Sequence, residues 1–577
     1  NNNIIRNNTI RTGSRSIYWE GSSTTSLSAD NEFSGNILQD PYNYGIYTYY
    51  TENMKMLKNT ITRTGAGTFY GFYAYYADGA YKIDSNKYTG TAITGSNYPL
   101  NIYYCDGTST NRGSITGNEI NVTSSTAVYN DIYYGNYYSL TGNKITINNQ
   151  STCYALRNYT GSSSYGKDVY VNENEINVKS TSTVYVYGHY SYSDKAQFNK
   201  NKIDITTTTT TYIYGGYQYM TGGMQMNDNV IKVNCGSGTF YLYGAYYYSE
   251  GGNKFKGNDV IVTTSGTIYH YPGYQNTANP ANATNQYNNN KIDLQSSGSG
   301  TVNNYLGAYD NSADIMNNNI YCSSGTGTVY GIYTYGYNST GKWNVSNNKI
   351  VAENNGTGSV YAFYGVYLGN GTVIANNSVT GVSGSTGYTV GLSCQYSNGG
   401  ADVYNNSVYT KSSGTNYTVY LYQSSGGQSV RLRNNVIRRV NGSGGYVAYC
   451  YNPSFHDFDY NNYGASSGSL MYFANLGLTY NNIAAVRAGG FDKNSLSFNP
   501  GFMDEDNGDL RPNPASANSW SVNGRGVQMA GNDKDIIGNA RAVTTSQGVP
   551  DLGAYEFTPT STPPNCTLTP NFPTPNA

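Results

Sequence analysis

The sequence predicts an all-β fold: a parallel solenoid of about 16–17 coils, each of ~28 residues with three short strands. Three observations predict it. An asparagine recurs at a nearly fixed interval, apolar residues keep fixed offsets from it, and the composition is that of strand and turn. Only 12% of the 577 residues are charged, while 66 are Tyr and 68 are Gly. Ordinary soluble domains carry about a quarter charged residues. Low charge, abundant Gly and many β-favouring residues argue against a helical or α/β domain.

The repeat is read by aligning the second residue of each Asn-Asn pair or its equivalent. The series is Asn8, Asn36, Asn59, Asn86, Asn118, Asn143, Asn174, Asn201, Asn229, Asn258, Asn290, Asn318, Asn348, Asn377, Asn406 and Asn435. Three residues before each stands an apolar or aromatic residue, from Ile5 and Phe33 through to Leu432. Two residues after each stands another, from Ile10 and Leu38 through to Ile437. Neither offset fails in any unit.

Alternation along a strand puts the asparagine, the +2 residue and the +4 residue on one face. Val122, Ile147, Val178, Ile205, Val233, Val262 and Leu294 occupy +4. The asparagine is therefore expected to point inward at a corner between two strands. Stacked coil on coil, such amides can hydrogen-bond along the axis and satisfy one another, which an isolated buried amide cannot do.

The middle of each unit carries a burst of tyrosine, as in VYVYGHYSY (Val184–Tyr192) and TYIYGGYQY (Thr211–Tyr219). Alternation sends Val184 inward and Tyr185 outward, with a bend near Gly188. Tyr185, Tyr187, Tyr212, Tyr214, Tyr241, Tyr243, Tyr330 and Tyr361 are the candidates for an outward interaction face. A third short strand precedes the asparagine, as in GMQMN (Gly223–Asn227). This pattern resembles the right-handed parallel β-helix proteins, the pectate-lyase-like superfold with internal asparagine ladders. The resemblance covers residues 1–462. The superfold hosts lyases, hydrolases, tailspikes and adhesins, so it implies no single function.

After Asn462 the repeat fades. Residues 463–557 read as a closing region with a short helix near Ile483–Ala488. They contain NPGFMDEDNGDLRP, DKDIIGNAR and PDLGAYEF. That order resembles the C-terminal end of secreted β-helix repeat proteins common in the Bacteroidetes. A usual intermediate motif departs here to PASANSWSVNGRG (Pro514–Gly526). The resemblance implies an extracellular or bacterial cell-surface location. Residues 558–577 are a Pro/Thr-rich linker or tail.

Several chemistries are disfavoured. The net charge is −1 with no basic run, so nucleic acid is not an expected partner. No apolar stretch reaches the ~18 residues that span a membrane. The seven Cys show no metal spacing and read as small core residues, apart from Cys566 in the tail. His189 and His270 sit among tyrosines, and His456 lies beside Asp457 and Asp459. Glu119 and Glu175 share one register two coils apart, and Asp204 and Asp293 another, three coils apart. A catalytic carboxylate pair needs closer neighbours. Asp504, Asp506 and Asp509 form an oxygen-rich turn, the only candidate for Ca²⁺, without the spacing of an EF-hand. No other cofactor is expected.

The chain begins at Asn1, without Met and already inside the first coil. The expectation is of an open N-terminal end and self-association, head-to-tail or lateral. The function expected is an extracellular structural or adhesive rod, a filament or adhesin with tyrosine-rich faces and no enzyme activity. The alternatives are a polysaccharide-binding surface protein and a polysaccharide lyase or glycoside hydrolase.

Overall fold

A computed structural model describes residues 1–564, except 160–165, 250–251, 275–283, 311, 337–341, 370, 385, 397–399, 423–429, 453 and 455. The chain winds as a right-handed parallel solenoid with three sheets along its length. Sheet A holds the strand before each corner asparagine, such as Gly113–Thr116 and Tyr138–Thr141. Sheet B holds the strand after it, such as Glu119–Ser124 and Lys144–Asn149. Sheet C holds the tyrosine strand, such as Val128–Tyr133 and Cys153–Tyr159.

Register along sheet B is in step: Ile120, Ile145, Ile176, Ile203 and Ile231 are successive partners. The apolar residues at the −3 and +2 offsets are all buried, except Ile5 and Ile10 of the first coil, which are half-buried. Each fully buried aliphatic side chain stabilises the fold by about 1.5–3 kcal/mol. The six described cysteines are buried and none forms a disulfide with another of them.

The asparagine ladder runs the full length of the coils and one rung beyond the sequence expectation, to Asn461. Rung-to-rung separations range from 23 residues, Asn36 to Asn59, to 32, Asn86 to Asn118. Coil length varies, yet the corner does not. From Asn36 to Asn435 each Nδ2 donates to the next Oδ1 and to a carbonyl of the preceding coil, as Asn118 does to Asn143 at 2.8 Å and to Ile83 O at 2.8 Å. At Asn461 the backbone N–H meets Ser495 Oγ at 2.7 Å instead of another amide.

The residue before each rung explains the Asn-Asn pair. It holds a left-handed backbone in every coil, for example Asn7 (φ 58°), Gly117 (φ 62°), Asn289 (φ 59°) and Asn434 (φ 58°). Gly and Asn tolerate that region best, so they dominate the position. One asparagine turns the corner and the next forms the rung.

Residues 463–557 do two things. The helix Ile483–Ala488, capped by Asn482 Oδ1 accepting from Ala485 N at 2.9 Å, brings buried Val486 to the end of the core. Phe473 and Phe491 meet there edge-on at 4.7 Å. From about residue 502 the chain doubles back as a strap along the outside of the last coils. Asn434 bonds Val527 in both directions, Nδ2 to O at 2.6 Å and N to Oδ1 at 2.9 Å. Asn376 Nδ2 reaches Asn532 Oδ1 at 2.6 Å. Leu510, Ala554 and Tyr555 pack on Tyr409. The start of the tail lies on the strap, where Trp520 Nε1 donates to Ser561 O at 3.2 Å. Cys566 and the rest of the tail lie outside the described residues.

Candidate functional site

The tyrosines of sheet C form rows parallel to the solenoid axis, because equal register puts equal residues above one another. The longest row is Tyr44, Tyr70, Tyr98, Tyr129, Tyr154, Tyr185, Tyr212, Tyr241 and Tyr269. Its successive centroids are 4.4–5.4 Å apart and its rings lie within 4–17° of parallel. Asn303 interrupts it in the next coil, and Tyr330 and Tyr361 resume it at 4.9 Å. Offset-stacked pairs contribute about 0.5–1.5 kcal/mol each beyond area burial.

The eight candidate interaction residues divide by depth. Tyr185, Tyr212, Tyr241, Tyr330 and Tyr361 are half-buried. Tyr187, Tyr214 and Tyr243 are buried, because a second tier, Tyr190, Tyr217 and Tyr246, covers them at 4.8, 4.5 and 4.3 Å. Burial, joined by neighbouring phenols, pushes the hydroxyls of Tyr187, Tyr214 and Tyr243 well above the ordinary tyrosine range. Tyr98 is pushed up to about 12 by burial and by Tyr70 and Tyr129. Arg157 sits among Tyr129, Tyr133 and Tyr154, and pairs with the wholly buried Asp131 carboxylate at 2.8 and 2.6 Å.

This geometry decides what the face presents. An interior ring such as Tyr185 has Tyr154 on one side and Tyr212 on the other. Both of its π-faces are occupied along the axis. What remains outward is the ring edge and the hydroxyl, repeated once per coil.

The other sequence candidates fall elsewhere. Asp504, Asp506 and Asp509 do not converge into an oxygen cage. Asp504 accepts from Asn507 Nδ2 at 2.8 Å, Asp506 binds Lys411 and Tyr409 at 2.5 Å each, and Asp509 binds Arg511 at 2.8 and 2.5 Å. Among the described residues no three His, Cys, Asp or Glu are grouped as metal ligands. His189 and His270 are interior, bonded to Gln197 O at 3.0 Å and Asn304 Oδ1 at 2.7 Å, and burial pushes each down to about 4. His456 borders a cavity of about 210 Å³ with Asp457, Asp459 and Asp492.

Lys144 stands between Glu119 and Glu175 in register, and Lys87 and Lys202 flank them. The face is a ladder of alternating charge, not an acid pair, which a search for carboxylates alone passes over. Asp204 is next to Lys232. The strap leaves a fainter signal: the outward register that holds Asn121 and Thr146 upstream holds Val351 and Tyr409 beneath it. A polar groove of about 600 Å³ opens between the strap, at Asn532 and Lys534, and sheet A, at Asp314, Asn344, Asn347 and Tyr404.

Among the described residues, no helix is long and apolar enough to cross a membrane. No protein-family model matches the chain, and no curated protein matches it.

Proposed function

We propose that this chain is an extracellular structural or adhesive rod of the secreted β-helix repeat kind found in the Bacteroidetes, displayed at the cell surface. The observation that carries the reading is the tyrosine row on sheet C, nine rings long between Tyr44 and Tyr269. The faces of its interior rings are taken up by their neighbours, so the row stiffens the rod. Its outward edges and hydroxyls offer a regular surface for association with other rods or a substratum. The segments NPGFMDEDNGDLRP and PDLGAYEF support the extracellular placement by resemblance. Immunogold labelling of intact producing cells, with the gene present and deleted, tests the reading. Gold at the cell surface and weaker adhesion on deletion are expected. Label confined to the interior would overturn it.

A second reading, glycan binding, is favoured by the polar groove beside the strap, where Asp314, Asn344 and Asn347 offer partners for sugar hydroxyls. A glycan array distinguishes the two. Retention of a defined oligosaccharide, lost in Asn344→Leu, favours the binder; a blank array leaves the rod.

A further inference from the structure

Four successive coils each carry a Tyr-Tyr dipeptide close to the C-terminal end of the sheet C strand: Tyr49-Tyr50, Tyr75-Tyr76, Tyr103-Tyr104 and Tyr133-Tyr134. The second member is left-handed every time, with φ of 53°, 50°, 50° and 55°. A bulky side chain rarely adopts that backbone. Two adjacent residues that a strand would send to opposite faces are thereby brought together, half-exposed, on the outside. Tyr50, Tyr76, Tyr104 and Tyr134 stack in their own row at 5.6, 5.0 and 4.8 Å.

The Tyr49–Tyr50 pair differs from Tyr75–Tyr76 and Tyr133–Tyr134. The ring centroids of Tyr49 and Tyr50 are 3.9 Å apart at 38°, and Tyr49 Oη donates to Tyr50 Oη at 3.0 Å. Tyr75 and Tyr76 lie at 4.8 Å and 72°, Tyr133 and Tyr134 at 5.9 Å and 52°. In a biphenol joined ortho to both hydroxyls, the two oxygens flank the new bond and hydrogen-bond to each other. Tyr49 and Tyr50 already hold that hydroxyl contact, with their ring centroids 3.9 Å apart.

We propose that Tyr49 and Tyr50 are a site of oxidative phenol coupling, joined into a dityrosine by hydrogen peroxide acting through an external haem peroxidase. Each phenol gives up one electron and its hydroxyl proton. The two phenoxyl radicals form a carbon–carbon bond between ortho carbons. The hydrogen on each of those carbons then moves to its oxygen, which restores both aromatic rings. The peroxide O–O bond breaks, and the two electrons and two protons complete two waters. Holding the two phenols in contact beforehand makes the coupling intramolecular and spares it the search for a partner.

The test treats the folded chain with a haem peroxidase and limiting hydrogen peroxide, across a range of protein dilutions. Tandem mass spectrometry then locates the first cross-link. The expected product is a monomer lighter by two hydrogens, with the link between Tyr49 and Tyr50, and a yield that dilution leaves unchanged. Tyr49→Phe and Tyr50→Phe are each expected to abolish it. Tyr42→Phe serves as the control, because Tyr42 is 62% exposed and is the tyrosine that accessibility alone would select among the described residues. Covalent dimers through Tyr42 that vanish on dilution, with Tyr49 and Tyr50 unmodified, would overturn the proposal. So would the same intramolecular product surviving in Tyr50→Phe.

Discussion

Asn229 Nδ2 donates to Asn258 Oδ1, one coil further on, at 2.9 Å. The same amide nitrogen donates back to Phe198 O at 2.9 Å, and Asn229 Oδ1 accepts from Asn201 Nδ2 at 3.1 Å and Asn201 N at 2.9 Å. The buried side chain is thus fully satisfied, and so is each rung like it. Asn229→Leu is expected to strand donors on one side and acceptors on the other. Each orphaned group costs ~1–3 kcal/mol, so the total loss is several kcal/mol, read as a lower denaturation midpoint. Asn229→Asp is expected to be worst at neutral pH, where a carboxylate oxygen would face Asn258 Oδ1 and Phe198 O. Stability should return as pH falls and the acid regains a proton to donate.

The corner before each rung can be tuned without touching the core. Ser85 is exposed and left-handed at φ 56°, and Gly117 takes the same backbone at φ 62° one coil on. Ser85→Gly is expected to relieve strain and stabilise by roughly 0.5–1 kcal/mol, Gly117→Ala to destabilise by about 1–2 kcal/mol. Thermal denaturation of the two variants should move in opposite directions.

The coil and its ladder are legible in the residue pattern alone. Two fixed apolar offsets mark the inward face, and the recurring asparagine marks the ladder, because both repeat in every coil. Features that repeat less are harder to read. The strap rests on a change in outward residues over only the last coils, Val351 to Tyr409. The candidate tyrosines divide because alternation tells inside from outside, but not whether Tyr217 will cover Tyr214. The carboxylates that share a register are separated by lysine, which only the stacking of the coils reveals.

The tyrosine rows should respond to ring loss and to alkali. Tyr212 stacks on Tyr185 at 5.1 Å and on Tyr241 at 4.7 Å. Tyr212→Ala removes both contacts, at a cost of about 1–3 kcal/mol, while Tyr212→Phe keeps them and should be nearly neutral. For the row as a whole, a phenol such as Tyr98, pushed up to about 12, keeps its proton when folded after an unfolded tyrosine has lost its own near 10. The stability it contributes is full below pH ~10 and is lost as pH rises toward the folded value. Tyrosinate absorbance should therefore appear late and together with unfolding.

The strap should open locally. Burial would raise the Asp506 carboxyl, but hydrogen bonds from Lys411 and Tyr409 leave it below the ordinary range. Its contribution is present above the unfolded pKa and lost as pH falls through the folded one. Asp506→Asn is expected to speed hydrogen exchange in Phe502–Asp504 and Asp509–Pro512 while upstream coils such as Glu175–Ser180 stay unchanged. Equal change in both places would contradict a separately docked strap.

The most direct measurement is cryo-electron microscopy of native material released gently from producing cells. The expected result is rods lying against one another with sheet C in the contact and an axial repeat of ~4.8 Å from the stacked strands. Dispersed single rods with sheet C facing solvent, in material that still adheres, would contradict a structural role for the tyrosine face.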